Sequence, residues 1–206
     1  MGVPVLILGE SGSGKSASLR NFKPDELVVY NVAGKPLPFR GGDSFNRADN
    51  AGYGVIIKNM SKAKFKTYVI DDSQYLLCFE LFNRSAETGY QKFTEMAKKF
   101  YELIRFTVEK LPPDVIVYFL HHVETIDGRR KAKTIGKMLD EKLTVEGLFS
   151  IVIMAQNIDG KHVFVTRSDG TDTVKTPMGM FSSAEIDNDL KLVDSTIREY
   201  YNMKGN

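Results

Sequence analysis

A mostly parallel α/β sandwich, its central sheet flanked by helices and finished by a C-terminal antiparallel hairpin, is the fold class that three features of the sequence predict. Short apolar runs at 3–8, 27–32, 67–70, 115–120 and 149–155 alternate with polar or helical stretches, as buried parallel strands do when helices cover both faces. After residue 73 the pattern turns helical. Phe93, Met96, Phe100, Leu103, Ile104, Val108 and Leu111 recur at that spacing, with Glu95, Lys98, Lys99, Glu102 and Lys110 on the other face. Asp159-Gly160 stands between the last apolar run and the segment 162–166, a two-residue hairpin signal. The 206 residues make one domain, 1–206, with no internal repeat or dividing linker.

In chain order, the run at 3–8 is bounded by glycine and reads as a strand covered on both faces. Residues 9–14 form a loop, and 15–22 begin a helix that Lys23-Pro24 ends. A second strand at 27–32 is followed by an irregular Gly- and Pro-rich stretch over 34–54 and a short extra strand at 55–57. The strand at 67–70 ends on Asp71-Asp72. Gly89 divides the helical region in two, and Pro112-Pro113 stop it. The strand at 115–120 delivers His121-His122, and a polar, basic loop then fills 124–142. Beyond the hairpin, 171–183 reads as a loop, and Leu190, Val193, Ile197 and Tyr200 or Tyr201 mark a closing amphipathic helix.

Composition removes several function classes. Hydrophobic residues at 42% and charged residues at 26% are globular values and argue against disorder or a coiled coil. The net charge of +2 provides no global field for nucleic acid or an anionic membrane, so any basic site is local. Cys78 is the single cysteine, which excludes an internal disulfide and fits a reducing compartment, as in cytoplasm. The longest uninterrupted apolar run, 115–120, is far short of the roughly 18–20 residues that span a bilayer, so no membrane partner is expected.

The strongest local signal is Gly9-Glu10-Ser11-Gly12-Ser13-Gly14-Lys15-Ser16, followed by Ala17. It satisfies G-x-x-x-x-G-K-[ST] between a strand and a helix. The bare pattern arises by chance in roughly one chain in a hundred of this length at ordinary glycine usage. Its glycines let backbone N–H groups close around a polyphosphate, Lys15 adds a cation toward the terminal phosphates, and the Ser16 hydroxyl suits Mg²⁺. Asp71, at the end of an apolar strand one β-α-β distance downstream, has the position of the carboxylate that completes the Mg²⁺ site. Asp72 is the candidate base that orients the attacking water; the alternative is an N-cap for the helix that follows. The extra strand candidate at 27–32 favours an arrangement in which a strand intervenes between the one carrying the glycine loop and the one carrying Asp71. In that arrangement the strand after Asp71 ends on a polar sensor, here His121-His122, whose side chains point to opposite faces. His122, further out, is the candidate sensor of the γ-phosphate; alternatively both histidines cap the strand.

Arg129, Arg130, Lys131, Lys133, Lys137 and Lys142 lie within 14 positions, opposed there only by Asp140 and Glu141. As a mobile loop they would hold single-stranded nucleic acid or supply a cation to a neighbouring subunit's nucleotide; the alternative is a solvated basic face. Lys58, Lys62, Lys64 and Lys66 read as solvent-exposed. The segment 175–181 suits either an apolar adenine pocket or a loop that caps the core.

Together, GESGSGKS at 9–16, TYVIDDS at 67–73, VIVYFLHH at 115–122, TIGKML at 134–139 and VKTPMGMF at 174–181 resemble the bacteriophage AAA-type, RecA-like P-loop ATP-binding proteins. That group is associated with phage recombination and replication, including single-strand-annealing recombinases. The resemblance implies a RecA-like P-loop NTPase core, ATP and Mg²⁺ as cofactors, assembly into a homo-oligomeric ring or filament, contact with single-stranded DNA, and the host cytoplasm as location. RecA-like recombinases carry a catalytic glutamate on the strand before the Mg²⁺ aspartate, where this chain has Asn31 and no acid. Asp72 is shorter than a glutamate, so slow ATP hydrolysis is expected. The competing readings are a small-molecule kinase with Arg129, Arg130 and Lys131 as a lid, and an ATP-gated scaffold that does not hydrolyse. A GTPase is disfavoured because no [NT]-K-x-D pattern occurs.

Overall fold

The structure, a computed structural model, describes residues 1–203, so positions 204–206 of the expected domain lie outside the described residues. Five apolar runs form its strands. In chain order these and the shorter strands are β1 (Val3–Gly9), β2 (Leu27–Asn31), β3 (Arg47–Asp49), β4 (Thr67–Asp71), β5 (Ile116–Ile126), β6 (Arg129–Ala132), β7 (Ile151–Ile158), β8 (Lys161–Val165) and β9 (Glu185–Asp187). The helices are α1 (Tyr53–Met60), α2 (Tyr75–Asn83), α3 (Gln91–Lys110) and α4 (Leu190–Tyr200). The order along the sheet is β3-β2-β4-β5-β1-β7-β8-β9, with β6 off this path and paired to β5. Neighbours from β3 to β7 run parallel, and β7-β8-β9 are antiparallel. The α/β class, the mostly parallel sheet and the late hairpin are as the sequence predicts, and β5 is the strand that stands between β1 and β4.

Alternation along each strand builds two apolar layers. Leu6, Leu8, Val117, Phe119, Val152 and Met154 face α1–α3, against Met96, Phe100, Leu103 and Ile104. Val5, Ile7, Tyr118, Leu120, Ile151 and Ile153 face the opposite side, where Leu19, Leu190, Val193 and Ile197 cover them. Burial on both faces explains why the parallel strands read as continuous apolar runs. Among the described residues no helix is long and apolar enough to cross a membrane.

Four expectations need correction. The segment 55–57 is helical, inside α1, because Ile56 and Met60 at i and i+4 reach the core while Val55 stays exposed. The helix expected over 15–22 is a single 3₁₀ stretch, Ser16–Asn21. Ser18 Oγ donates to the Lys15 carbonyl at 2.6 Å, competing with the backbone ladder, and the chain is already extended at Phe22, two residues before Pro24, which keeps the stretch short. The irregular stretch over 34–54 contains β3. The basic segment after His122 is no open loop. β5 continues to Ile126 and turns back as β6 through Asp127-Gly128, whose φ values of 49° and 77° suit the mirror-image hairpin turn. The segment 175–181 caps the core, with Met180 and Phe181 in the α4-side layer and Met178 exposed.

Candidate functional site

Parallel strands deliver their carboxyl ends to one edge of the sheet, and there the singled-out residues meet. Register pairs Gly9 with His122 and Asn31 with Asp71, which sets the ends of β1, β5, β4 and β2 side by side. The loop after β1 needs its glycines. A Cβ on Gly9 would collide with Ser13 Oγ and lie 2.8 Å from the Ala155 carbonyl, and Gly12 and Gly14 hold φ of 77° and 94°. Glu10 and Ser11 are exposed at the loop's crest, and Ala17 is half-buried in the first turn behind it. The loop's backbone N–H groups and the following turn are therefore stacked against the sheet edge by close contact that a side chain would block.

Lys15 is buried and curls back, its Nζ donating to the Gly9 and Glu10 carbonyls at 2.8 Å each. Burial lowers its ammonium to about 8, against the raising pull of Asp72 and Asp71. Ser16 Oγ donates to Asp71 Oδ1 at 2.8 Å, joining two residues 55 positions apart. Burial and then the charge of Asp72 push the Asp71 carboxyl up to about 6, although Ser16 and Lys15 oppose them.

Asp72 sits in the left-handed region at φ 58°. Its side chain does not cap α2; it turns to His122 Nε2 at 3.1 Å and Lys35 Nζ at 2.6 Å. Burial would raise this carboxyl, but those two partners outweigh it and hold it at about 2. Tyr75 packs its ring edge-on to His122, 5.6 Å between centroids, and Lys35 lies over the same ring. The two histidines separate as alternation requires. His121 is fully buried, and burial lowers its imidazole to about 4. The Lys133 carbonyl, 2.8 Å from Nε2, can only accept, so Nε2 carries the proton and Nδ1 accepts from Ser73 Oγ at 2.9 Å. His121 thus ties the end of β4 to the base of the β5-β6 hairpin and takes no part in the site's open face.

Lys35 was not legible as a site residue, since it lies in a Gly- and Pro-rich stretch. Its position is built by Asn31, whose Nδ2 donates to the Lys35 carbonyl at 2.6 Å and to Asp49 Oδ1 at 2.8 Å. Asn31 therefore anchors a cation where the resemblance leads one to expect an acid.

The basic cluster is largely paired. Arg130 lies 3.6 Å from the buried carboxylate of Asp172, and the Gln156 carboxamide faces its guanidinium. Arg129 donates to the Asp172 carbonyl at 3.4 Å, Lys131 pairs with Asp140, and Lys137 lies 3.8 Å from Glu141. Glu146 Oε1 fixes the hairpin by accepting from the Ala132 amide at 2.7 Å. The sequence neighbourhood thus understated the opposing charge, because Asp172 arrives from a distant segment. Arg129 and Lys133 are exposed. Arg130 also lines a cavity of about 250 Å³ with Glu10, Ser11, Gly12 and Ser13, beside the loop. No family model matches the chain, and no curated protein matches it significantly.

Proposed function

We propose that the chain is a Mg²⁺-dependent ATPase of RecA-like P-loop type that couples nucleotide state to self-assembly and to handling of single-stranded DNA in phage recombination or replication. One observation carries the reading: the Ser16 Oγ–Asp71 Oδ1 hydrogen bond beneath a glycine loop that tolerates no side chain at Gly9. The strand order supports it, because β5 between β1 and β4 sets His122 between the loop and the aspartates. The residues fit the cofactors. The loop offers backbone donors and a buried lysine to phosphate oxygens, and a hydroxyl with a carboxylate are the hard oxygen ligands that Mg²⁺ takes. When bound, the ion would draw charge from the transferring phosphate.

Lys15 exchanges two neutral carbonyls for phosphate oxygens, which favours its charged form. Asp72, anionic at neutral pH, aligns a water against the γ-phosphorus. The water oxygen forms the new P–O bond as the bond to the β-phosphate oxygen breaks, and the water's proton passes to an oxygen of the departing phosphate, leaving ADP and phosphate. A carboxylate held at about 2 is a weak proton acceptor, so Asp72 orients more than it deprotonates and turnover is slow. His122 and Lys35, both on Asp72, stand where cations or donors meet the charge that develops.

The cavity against Arg130 favours a second reading, transfer of the phosphate to a small acceptor seated there. Phosphate release measured with Mg²⁺-ATP, with and without single-stranded DNA at low salt, separates the cases. The expected result is slow, DNA-stimulated release that Lys15→Ala reduces by at least about a hundredfold, the scale of losing one strong transition-state contact. ATP consumption only with a nucleotide acceptor would favour the kinase, and intact ATP recovered after hours a non-hydrolysing scaffold.

A further inference from the structure

Behind the glycine loop lies a polar group that nothing in the chain satisfies. Asn188, between β9 and α4, is 2% exposed, yet neither its Nδ2 nor its Oδ1 has a hydrogen-bond partner. A buried carboxamide with a free donor and a free acceptor costs stability unless a ligand or an ordered water completes it. Its place is specific. A Cβ on Gly14 would come within 3.1 Å of both of those atoms and of His162 Nδ1, so Asn188 and the exposed His162 of β8 flank the third glycine of the loop. The main chain there is held to the turn that follows the loop. Arg20 Nη1 donates to the Asn188 carbonyl at 2.7 Å, and Asn21 Nδ2 to Asp189 Oδ2 at 2.7 Å. Asp189 in turn caps α4 through the Lys191 and Leu192 amides.

We propose that Asn188 reads the base edge of the bound nucleotide and selects adenine over guanine, with the His162 ring as a stacking face. The assignment rests on the nucleotide reading of loop 9–16. Its chemistry is complementarity. Adenine presents an N7 acceptor beside an N6 donor, which a carboxamide's donor and acceptor match, whereas guanine presents two acceptors, N7 and O6, and leaves the carboxamide oxygen unpaired. The segment 175–181 contributes less to this role, because Met180 and Phe181 are spent on the core.

Calorimetric titration of the full chain with Mg²⁺-ATP, Mg²⁺-GTP and Mg²⁺-tripolyphosphate tests it. The unaltered protein is expected to prefer ATP over GTP by roughly ten- to a hundredfold, the discrimination of one good bidentate pair. Asn188→Ala and Asn188→Asp should bring the two within about threefold while leaving tripolyphosphate binding unchanged. Without nucleotide, Asn188→Ala should melt at the same or a higher temperature, because it removes an unsatisfied group and not a contact. His162→Ala, at an exposed position that folding does not need, should weaken ATP and GTP alike and spare tripolyphosphate. Equal ATP and GTP affinity in the unaltered chain, or a preference that survives Asn188→Ala, overturns the assignment even if tripolyphosphate binds. Failure to bind tripolyphosphate as well as both nucleotides overturns the phosphate-loop reading on which it stands.

Discussion

Asp71 is a buried carboxylate whose proton is held too tightly for its surroundings, and this has a sign. With a folded value of about 6 against an ordinary value near 4, the folded state binds the proton more strongly than the unfolded state does. Its favourable contribution is therefore complete below about pH 4 and is lost as pH rises through about 6. Above that, the difference between about 6 and the ordinary value corresponds to a cost on the order of 3 kcal/mol. Asp71→Asn is expected to stabilise the protein in urea denaturation at pH 8 by up to that amount, with the gain vanishing towards pH 4, while nucleotide-dependent magnesium binding is lost. A gain that does not change with pH would show that the carboxyl is not protonated in the folded state as described. Residue identity made Asp71 readable, because an acid after an apolar strand is a local pattern. Lys35 and Asn188 had no such pattern. Each acquires meaning only from a partner far along the chain: Asp72 for the first, the loop around Gly14 for the second.

At the scale of elements, α4 is tied to the opposite edge of the sheet by a buried polar cluster. Asp194 accepts from Arg198 Nε at 2.7 Å, Tyr118 Oη at 3.1 Å and Thr67 Oγ1 at 3.2 Å. Arg198 further donates to the Asp114 and Lys66 carbonyls at 2.9 Å each. Asp194→Ala would take the carboxylate from the half-buried Arg198 guanidinium and leave it only neutral acceptors, so a loss of about 3 kcal/mol in urea denaturation is expected. Combining it with Arg198→Met should recover much of that loss. A change below about 1 kcal/mol would mean that solvent reaches the guanidinium. The periodicity of α4 was plain from Leu190, Val193 and Ile197, but the same periodicity leaves Asp194 looking like an ordinary polar position beside them. The β5-β6 hairpin was missed for a different reason. Asp127-Gly128 is a turn signal as good as Asp159-Gly160, but its flanks are charged, so no apolar alternation marked them as strands.

For the whole molecule, the question is where a near-neutral protein would hold DNA. Pairing with Asp172, Asp140 and Glu141 leaves Arg129 and Lys133 as the more available cations of the hairpin. Replacing both by alanine should weaken single-stranded DNA binding uniformly across sequences and lower the salt slope by about 1.4, two phosphate contacts at about 0.7 each. An unchanged slope would overturn a DNA contact at this hairpin. The amino-acid sequence by itself determined the α/β class, the glycine loop after the first strand and the acidic strand end, because these rest on patterns within a few residues: apolar runs, glycines at fixed spacing, and a hydroxyl after a lysine. The tertiary structure decided what the sheet edge brings together. Which cations remain unpaired, why Asn31 supports Lys35, and where a buried carboxamide goes unsatisfied all depend on contacts between residues far apart in the chain, and no local spacing encodes those distances.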